Sequence, residues 1–376
     1  MDRLCVSIFR TDSFIGQVTE VYMRAGSVLN GSGRIPRLHE RNFVTSNSYV
    51  RFIVFCLLAM GFGGVFPAYA QVGGISASAF HLPDEVDGGD VHHFVHRAMG
   101  TEFTLMMYLR DGDVGRDDLA PIASEAFDAI DSLEYQISSW IAASDTSQVN
   151  RFGAARPIEV RSDLFELFRF SARIHKETGG AFDITVGPLI ELRREALKSG
   201  GDPSPEEFGE VLERVGMNKV VLDSDTRTVF FRTAGMRVSF GGIGKGLALD
   251  KAVEVLKRFG IESALLSGGD SSMFAIGVPP GKEFWKIGIN NPYNAEANLE
   301  IVSLRDQALS TSACYHHLAG QTGKPCGIFD PRTGEAVHEM VSVTVIAQSG
   351  METDALSTAF YVMGTEGARD YCARHS

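Results

Sequence analysis

Apolar residues recur at every third or fourth position in several stretches of the chain, the spacing of one face of an α-helix. Helices are predicted over four such stretches: Pro121–Trp140, Leu164–Thr178, Gly246–Phe259 and Met351–Gly364. A further helix is expected to begin after Ser204 and to end near Gly216, because Ser204 and Glu207 have the spacing of a capping box around Pro205.

Short runs of β-branched and aromatic residues predict strands between these helices. They cover Glu102–Arg110, Val220–Leu222, Thr228–Phe231, Ala264–Leu266, Trp285–Ile289, Leu299–Leu304 and Val341–Ala347. Residues 71–96 contain glycine-rich and acidic turn sequences and are expected to be a loop-like linker. Because helices and strands mix without a regular βαβ alternation, the pattern favours an α+β fold over a doubly wound sheet.

The apolar run Ile53–Phe66 predicts an export signal. It has about 14 residues, whereas a membrane-spanning helix needs roughly 20. An A-x-A cleavage sequence ending at Ala70 follows it. Residues 47–70 are therefore predicted to be a signal peptide, with a buried core helix as the alternative. Residues 1–46 are then an N-terminal extension or the result of a start codon assigned too far upstream, and residues 97–376 are the main domain.

Composition and charge narrow the function classes. The 44% hydrophobic and 22% charged residues exclude a disordered or fibrous protein. A net charge of −12 argues against sequence-independent nucleic-acid binding, which depends on Lys and Arg. Export would place the chain in an oxidising compartment, where we expect a disulfide between Cys314 and Cys326; two free thiols are the alternative.

Two segments carry candidate chemistry for an anionic ligand. The segment Ser239–Gly246 is rich in glycine and leads into a predicted helix, so its backbone N–H groups and Lys245 could hold an anion. Asp354 and Thr358 lie one helical turn apart, and oxygen ligands of this type suit Mg²⁺. The alternatives are a tight strand-to-helix turn with a surface Lys, and a Thr358 hydroxyl bonded to its own helix.

Seven motifs occur in one order along the chain, and together they resemble the ApbE family of FAD:protein FMN transferases. The motifs are Met99-Gly-Thr, Ile137-Ser-Ser-Trp140 with Asp145 and Ser147, Gly179–Leu189, Gly241–Gly246, Ser267-Gly-Gly-Asp270, Asp330–Gly334 and Met351–Thr358. The resemblance implies an α+β, T-fold-like architecture of mixed or antiparallel sheets with flanking helices, and FAD in a cleft.

The resemblance also implies an activity. FMN is transferred from FAD to a Ser or Thr hydroxyl of an acceptor flavoprotein with Mg²⁺, and AMP is released. Many members of the family act in the periplasm or at the outer face of the bacterial inner membrane, and this chain would reach the membrane through its acceptor. No nucleic acid takes part.

By family position, Asp354 and Thr358 bind Mg²⁺ together with the carbonyl of Gly242 and the neighbouring Ser357, and Lys245 and Asp354 are the catalytic residues. The implied FAD contacts are Met99, Trp140, Ala181, Phe182, Asp183, Ser239, Lys245 and Ile328. From the residues alone, Trp140 is either a stacking surface or part of the core.

Three positions depart from the family pattern. Gly327 stands where relatives usually have His, Ser239 where an Asp often stands, and Ser312-Ala-Cys314 where relatives have Ser/Thr-Gly-Asp. Two alternatives to transfer remain open: an FAD pyrophosphatase that uses water at the same site, and a non-catalytic FAD-binding protein that has lost transfer through Gly327. His316 or His317 are candidates to replace the missing side chain.

Overall fold

The computed structural model describes residues 5–11, 18–24, 41–42, 80–81, 90–109, 115–201, 203–291, 294–314, 327–337 and 340–375. The strands within these ranges are β1 (Cys5–Thr11), β2 (Val18–Arg24), β3 (Arg41–Asn42), β4 (Phe80–His81), β5 (Asp90–Ala98), β6 (Thr101–Leu109), β7 (Ile158–Glu159), β8 (Val220–Asp223), β9 (Thr228–Phe231), β10 (Ala264–Gly268), β11 (Ser272–Ile276), β12 (Trp285–Asn291), β13 (Asn294–Leu304), β14 (Gln307–Ala313) and β15 (Met340–Ala347). The α-helices are α1 (Leu119–Ile137), α2 (Asp145–Phe152), α3 (Ser162–Glu177), α4 (Gly187–Ser199), α5 (Pro205–Leu212), α6 (Gly244–Arg258) and α7 (Gly350–Arg374).

The strands form one large and two small antiparallel sheets. The large sheet has nine strands in the order β3-β2-β1-β15-β14-β11-β10-β6-β5. The small sheets have the orders β13-β12-β4 and β7-β9-β8. Helices accompany antiparallel sheets here instead of alternating with parallel strands, so the predicted α+β class is confirmed.

Strand β6 shows why the molecule has three layers. Its side chains point alternately to the two faces of the large sheet. Leu105 and Met107 belong to the main core, which the helices cover. Met106 and Tyr108 face the other way, into a second core that includes Trp285 of the small β12–β13 sheet. At β6 both faces of the large sheet are therefore buried, one by helices and one by strands.

The N-terminal segment contributes to the large sheet. Strand β1 pairs with β15 from Cys5 opposite Ile346 to Arg10 opposite Met340, and β2 continues the sheet beyond it. Val6 and Ile8 are completely buried in the main core. Residues 5–11 and 18–24 thus have a structural role that the pattern of residues 1–46 did not indicate.

Strand β5 corrects the predicted linker. Residues 90–96 form most of this strand, which pairs with β6 over its whole length. Within it, His93, Val95 and Arg97 on one face are exposed, whereas His92, Phe94 and His96 on the other face are half-buried. Because histidines occupy inward positions, the period-two pattern of a strand was hidden by polar residues.

Further elements were absent from the prediction, among them helices α2 and α4 and strands β7, β11 and β14. Helix α2 begins after Ser144, whose hydroxyl accepts a hydrogen bond from Ser147 N (2.9 Å) as an N-cap. Ser and Asp are typical of both turns and helix starts, so composition alone does not separate the two.

The capping box at Ser204 is confirmed, with both of its reciprocal hydrogen bonds present, although the helix ends at Leu212 and not near Gly216. Helix α7 is interrupted at Gly364 (φ 69°), as its predicted end suggested, and resumes beyond it. No helix in the described parts of the chain is long and apolar enough to span a membrane. The predicted signal peptide at residues 47–70 lies outside the described residues.

Candidate functional site

A cavity of about 450 Å³ opens between the glycine-rich segment before α6, the end of β14 and the first turns of α7. Eight of the predicted site residues line it: Phe182, Asp183, Ser239, Gly242, Lys245, Ile328, Asp354 and Thr358. Gly327, which replaces the histidine of relatives, lies on the same wall.

A second cavity, of about 370 Å³, adjoins the first. It is lined by two further residues that the sequence predicted to contact FAD, Trp140 and Met99. Ser239, Gly241 and Lys245 line both cavities. The predicted site residues, which span more than 250 positions of sequence, therefore border one continuous cleft.

Two predicted residues lie behind the wall of the cleft. Ala181 is 1% exposed and Ser357 is completely buried, and neither lines the two cavities. The Ser357 hydroxyl donates to the Asp354 carbonyl oxygen (3.0 Å) and lies 2.9 Å from Ser312 Oγ. Ser357 thus supports the turn of α7 that carries Asp354 and Thr358.

The Asp354 carboxylate is held by groups from three other elements. Its Oδ2 accepts a hydrogen bond from Gly246 N on α6 (3.0 Å), and its Oδ1 accepts one from Ser310 Oγ on β14 (3.0 Å). Ser272 Oγ on β11 lies 3.5 Å from Oδ1 and 2.8 Å from Ser310 Oγ. The carboxylate is 5% exposed, so these donors fix its orientation toward the cavity.

Sequence reasoning missed both Ser272 and Ser310. Each lies in an inward position of a strand, and nothing in the local pattern distinguishes them from other small strand residues. Only the order of β11 and β14 beside α7 brings them to the carboxylate.

Thr358 both forms a hydrogen bond within its own helix and borders the cavity, the two roles that its spacing from Asp354 left open. Its hydroxyl donates to the Asp354 carbonyl oxygen (3.2 Å), as expected of Thr inside a helix, and the side chain also lines the cavity. Gly242 faces it closely, because a Cβ placed on Gly242 would lie 3.4 Å from Thr358 Oγ1. Asp354, Thr358 and Gly242 therefore border one small volume.

Helix α6 starts at Gly244, and Lys245 is its second residue. Lys245 is half-buried, and no hydrogen bond or ion pair with another described residue engages its ammonium group. Gly244 N already donates to the Phe240 carbonyl oxygen (2.8 Å) and Gly246 N to Asp354 (3.0 Å), so the start of α6 contributes mainly the positive end of its dipole, which meets this cation at the boundary of the two cavities. An anion placed there meets positive potential from both sources.

Gly246 sets the distance between α6 and α7. A Cβ at this position would overlap the carbonyl oxygen of Gly350 and approach Asp354 Cβ to 2.9 Å. Only glycine allows the two helix backbones to lie so close. The same contact lets Gly246 N reach the Asp354 carboxylate.

Asp183 is occupied by internal contacts even though it borders the cavity. Its carboxylate accepts hydrogen bonds from Thr185 N (2.7 Å), Thr185 Oγ1 (2.6 Å) and Met217 N (3.1 Å), and its Oδ2 lies 3.1 Å from His175 Nδ1. Burial lowers the pKa of His175, but the hydrogen bond and charge of Asp183 raise it more, and the net pKa is raised. Asp183 thus stabilises the loop that presents Phe182.

Trp140 is 73% exposed, so it is not a core residue. The Arg194 guanidinium carbon lies 4.8 Å from the ring centroid and orients the indole. Met99 and Gly100 both have positive φ, 52° and 71°, in the two-residue turn that joins β5 and β6. A methionine in this conformation is strained, which is a feature of functional sites.

The structure describes only one of the two cysteines in the predicted disulfide. Cys314 is disulfide-bonded. Cys326, its predicted partner, lies outside the described residues, and so do His316 and His317, the candidates to replace the missing histidine.

The chain was compared with known proteins. An FAD:protein FMN transferase of Klebsiella pneumoniae is 27% identical over 271 residues, which cover 71% of this chain and 81% of the relative. The solved flavin transferase ApbE of Vibrio cholerae superposes with a TM-score of 0.65 at 25% identity, over 75% of this chain and 90% of that one. The apo flavinyl transferase ApbE of Pseudomonas stutzeri gives a TM-score of 0.67 at 25% identity, over 76% and 89%.

The family model for the ApbE family matches residues 99–376, the whole region in which the cleft and its motifs lie. The match begins at Met99, on the cleft wall, and includes the glycine-rich segment and both of the α7 oxygen donors. On the motifs, the fold and this match together, the chain is a member of the ApbE family.

Proposed function

We propose that this chain transfers FMN from FAD to a Ser or Thr hydroxyl of an acceptor flavoprotein and releases AMP, with Mg²⁺ bound at Asp354 and Thr358. The observation that carries the proposal is the single cleft in which Asp354, Lys245 and the exposed Trp140 converge. Relatives named FAD:protein FMN transferase support the same reaction.

The donor set fits Mg²⁺. This ion binds through one or two carboxylates and keeps sites for water and substrate phosphate. The described residues contain no group of three His, Cys, Asp or Glu side chains able to hold a metal, so a site completed by substrate oxygens is the fitting kind. Asp354, Thr358 and the Gly242 carbonyl would hold it. When bound, Mg²⁺ neutralises pyrophosphate charge as a Lewis acid.

The residues of the chain supply the rest of the chemistry. Lys245 and the N-terminus of α6 hold the negatively charged pyrophosphate of FAD, and Trp140 offers its exposed ring face for stacking. The acceptor hydroxyl oxygen forms a bond to the phosphorus of the FMN half, the bond from that phosphorus to the bridging oxygen breaks, and AMP leaves. The hydroxyl proton passes to the phosphate of the departing AMP and from there to solvent. Positioning and charge stabilisation dominate such reactions.

The experiment is incubation of the purified chain with FAD, Mg²⁺ and a peptide that carries a Ser or Thr target. Covalent flavin on the peptide, with AMP released, supports transfer. AMP and free FMN without labelled peptide identify a pyrophosphatase instead, and bound FAD without turnover identifies a binding protein. Asp354→Asn is expected to reduce Mg²⁺-dependent turnover by at least about 100-fold. Asp370→Asn, an exposed Asp on the same helix, is the matched control.

We further propose that the protein is exported and acts in the periplasm or at the outer face of the inner membrane. The apolar run Ile53–Phe66 and the A-x-A sequence that ends at Ala70 support this. Cell fractionation with a C-terminal tag tests it: recovery of the protein only from the cytoplasm would contradict export.

A further inference from the structure

Asp250 lies outside both cavities of the cleft, yet it connects the two helices that build the site. It is on α6, one turn beyond Gly246, and it is half-buried. Its carboxylate accepts hydrogen bonds from Gly350 N (2.6 Å), Met351 N (2.9 Å) and Ser349 Oγ (2.8 Å). All three donors belong to the start of α7.

These contacts satisfy N–H groups that a helix start leaves without intrahelical partners. Ser349 Oγ also accepts a hydrogen bond from Glu352 N (3.3 Å), as the N-cap within α7 itself. The negative charge of Asp250 further matches the positive end of the α7 dipole. Helix α7 is thus capped by its own Ser349 and, across the helix interface, by a carboxylate of α6.

Gly246 and Asp250 are four residues apart and share one face of α6. Gly246 binds the Asp354 carboxylate through its N–H, and Asp250 binds the backbone one turn before Asp354. Two successive turns of α6 therefore hold two successive turns of α7. Since Lys245 and Gly242 precede these turns directly, the contact also sets the distance from the glycine-rich segment to Asp354.

We propose that Asp250 is a positioning residue, which fixes α7 so that Asp354 and Thr358 face Gly242 and Lys245 at the separation needed for the metal and the pyrophosphate. This inference rests on the Mg²⁺ site of the proposed function. Burial raises the pKa of the Asp250 carboxyl, and the three donors counteract that rise only in part.

The test compares Asp250→Asn with Glu254→Gln in the full chain. Asn keeps the shape of Asp but places an NH₂ group against donors. Glu254, one turn further along α6, is exposed and pairs with Lys251 at 3.3 Å, and its charge acts on Asp250 without a hydrogen bond, so Glu254→Gln tests the effect of a nearby charge alone. The readout is the Mg²⁺ concentration that gives half of the metal-dependent rise in melting temperature with FAD present. Half-activating Mg²⁺ in the transfer assay is measured in parallel.

Asp250→Asn is expected to raise the half-saturating Mg²⁺ concentration roughly 10-fold to 100-fold, the usual effect of removing a support of a metal ligand. FAD affinity without Mg²⁺ stays within about twofold, because the Trp140 side of the cleft is unchanged. Glu254→Gln leaves both quantities at the unaltered level. Ser349→Ala removes one of the three donors to Asp250 together with the N-cap bond from Glu352 N, and it shifts the Mg²⁺ requirement in the same direction by a smaller factor.

A purely structural role predicts a different result: Asp250→Asn would lower the melting temperature but leave the Mg²⁺ requirement unchanged, and this outcome overturns the inference. An equal shift in Glu254→Gln also overturns it, because it indicates a general effect of charge. Absence of any Mg²⁺ response in the unaltered chain refutes the proposed metal site itself, and the inference with it. If Asp250→Asn does not fold, Ser349→Ala decides by the same criterion.

Discussion

Ile8 of β1 is a sensitive probe of whether the N-terminal segment belongs to the folded sheet. Its side chain is completely buried in the main core, beside the β1–β15 ladder. Ile8→Ala removes three buried carbons at about 0.8 kcal/mol each, or about 2.4 kcal/mol in transfer free energy. The cavity left behind brings the expected loss of unfolding free energy to about 2–5 kcal/mol. The melting temperature should fall by roughly 3–6 °C in a chain of this length.

The matched control is Ile301→Ala. Ile301 also lies in a strand, β13, but it is 61% exposed, so its truncation should change the unfolding free energy by no more than about 0.5 kcal/mol. Urea unfolding monitored by circular dichroism gives both values. Intact mass spectrometry must show that each purified chain still contains residue 8.

Equal unfolding free energies of the Ile8→Ala and Ile301→Ala chains would refute the placement of β1 in the sheet. The result also bears on export. Cleavage after Ala70 would detach β1 and expose the edge of β15, all of whose eight residues are buried. A chain that starts at Gln71 is therefore expected to be less stable than the full chain by at least the Ile8→Ala amount.

Three further predictions concern the cleft. Gly327 is exposed and a Cβ there meets nothing within 4 Å, so the Gly327→His chain should fold. If the missing histidine limits catalysis, this substitution should raise the transfer rate about tenfold or more, and an unchanged rate would contradict that role. The pKa of His175 is raised above 6.5, so the stability advantage of the unaltered chain over His175→Gln should be full below pH 6.5. That advantage should disappear as pH rises through the raised pKa of His175. Urea unfolding of both chains across pH measures it, and a difference in unfolding free energy that does not change with pH would contradict the prediction. Trp140→Ala should weaken FAD binding by about 1–3 kcal/mol in a fluorescence titration, with little change in melting temperature. Tyr135→Ala, a 47% exposed aromatic on α1, should leave FAD affinity unchanged, and an equal loss there would contradict a stacking role for Trp140.

The sequence predicted best where one local rule acted alone. The capping box at Ser204, the glycine interruption at Gly364 and the amphipathic α1 each depend on residues within a few positions of one another. Predictions failed where residue types have two uses. No helix was predicted after Ser144, because Ser is common both in turns and at helix starts, and the histidines of β5 concealed the alternation of that strand.

The candidate site divides in the same way. Motif residues such as Lys245, Asp354 and Trp140 were identified from the sequence by their chemistry and by the family resemblance. Their partners were not: Ser310 is 44 residues from Asp354, and Gly246 is 108. No periodicity links positions so far apart.

What the sequence by itself determined is the chemistry of the chain and the elements that hydrogen bonds and apolar spacing define within a few residues. The tertiary structure decided which elements became neighbours: β1 beside β15, α6 against α7, and Trp140 in the open instead of in the core. The physical reason is that neighbours are chosen by mutual burial and close backbone approach across long loops. Which pairs of elements bury the most surface depends on all strands and helices of the domain together, so no short stretch of sequence determines the arrangement.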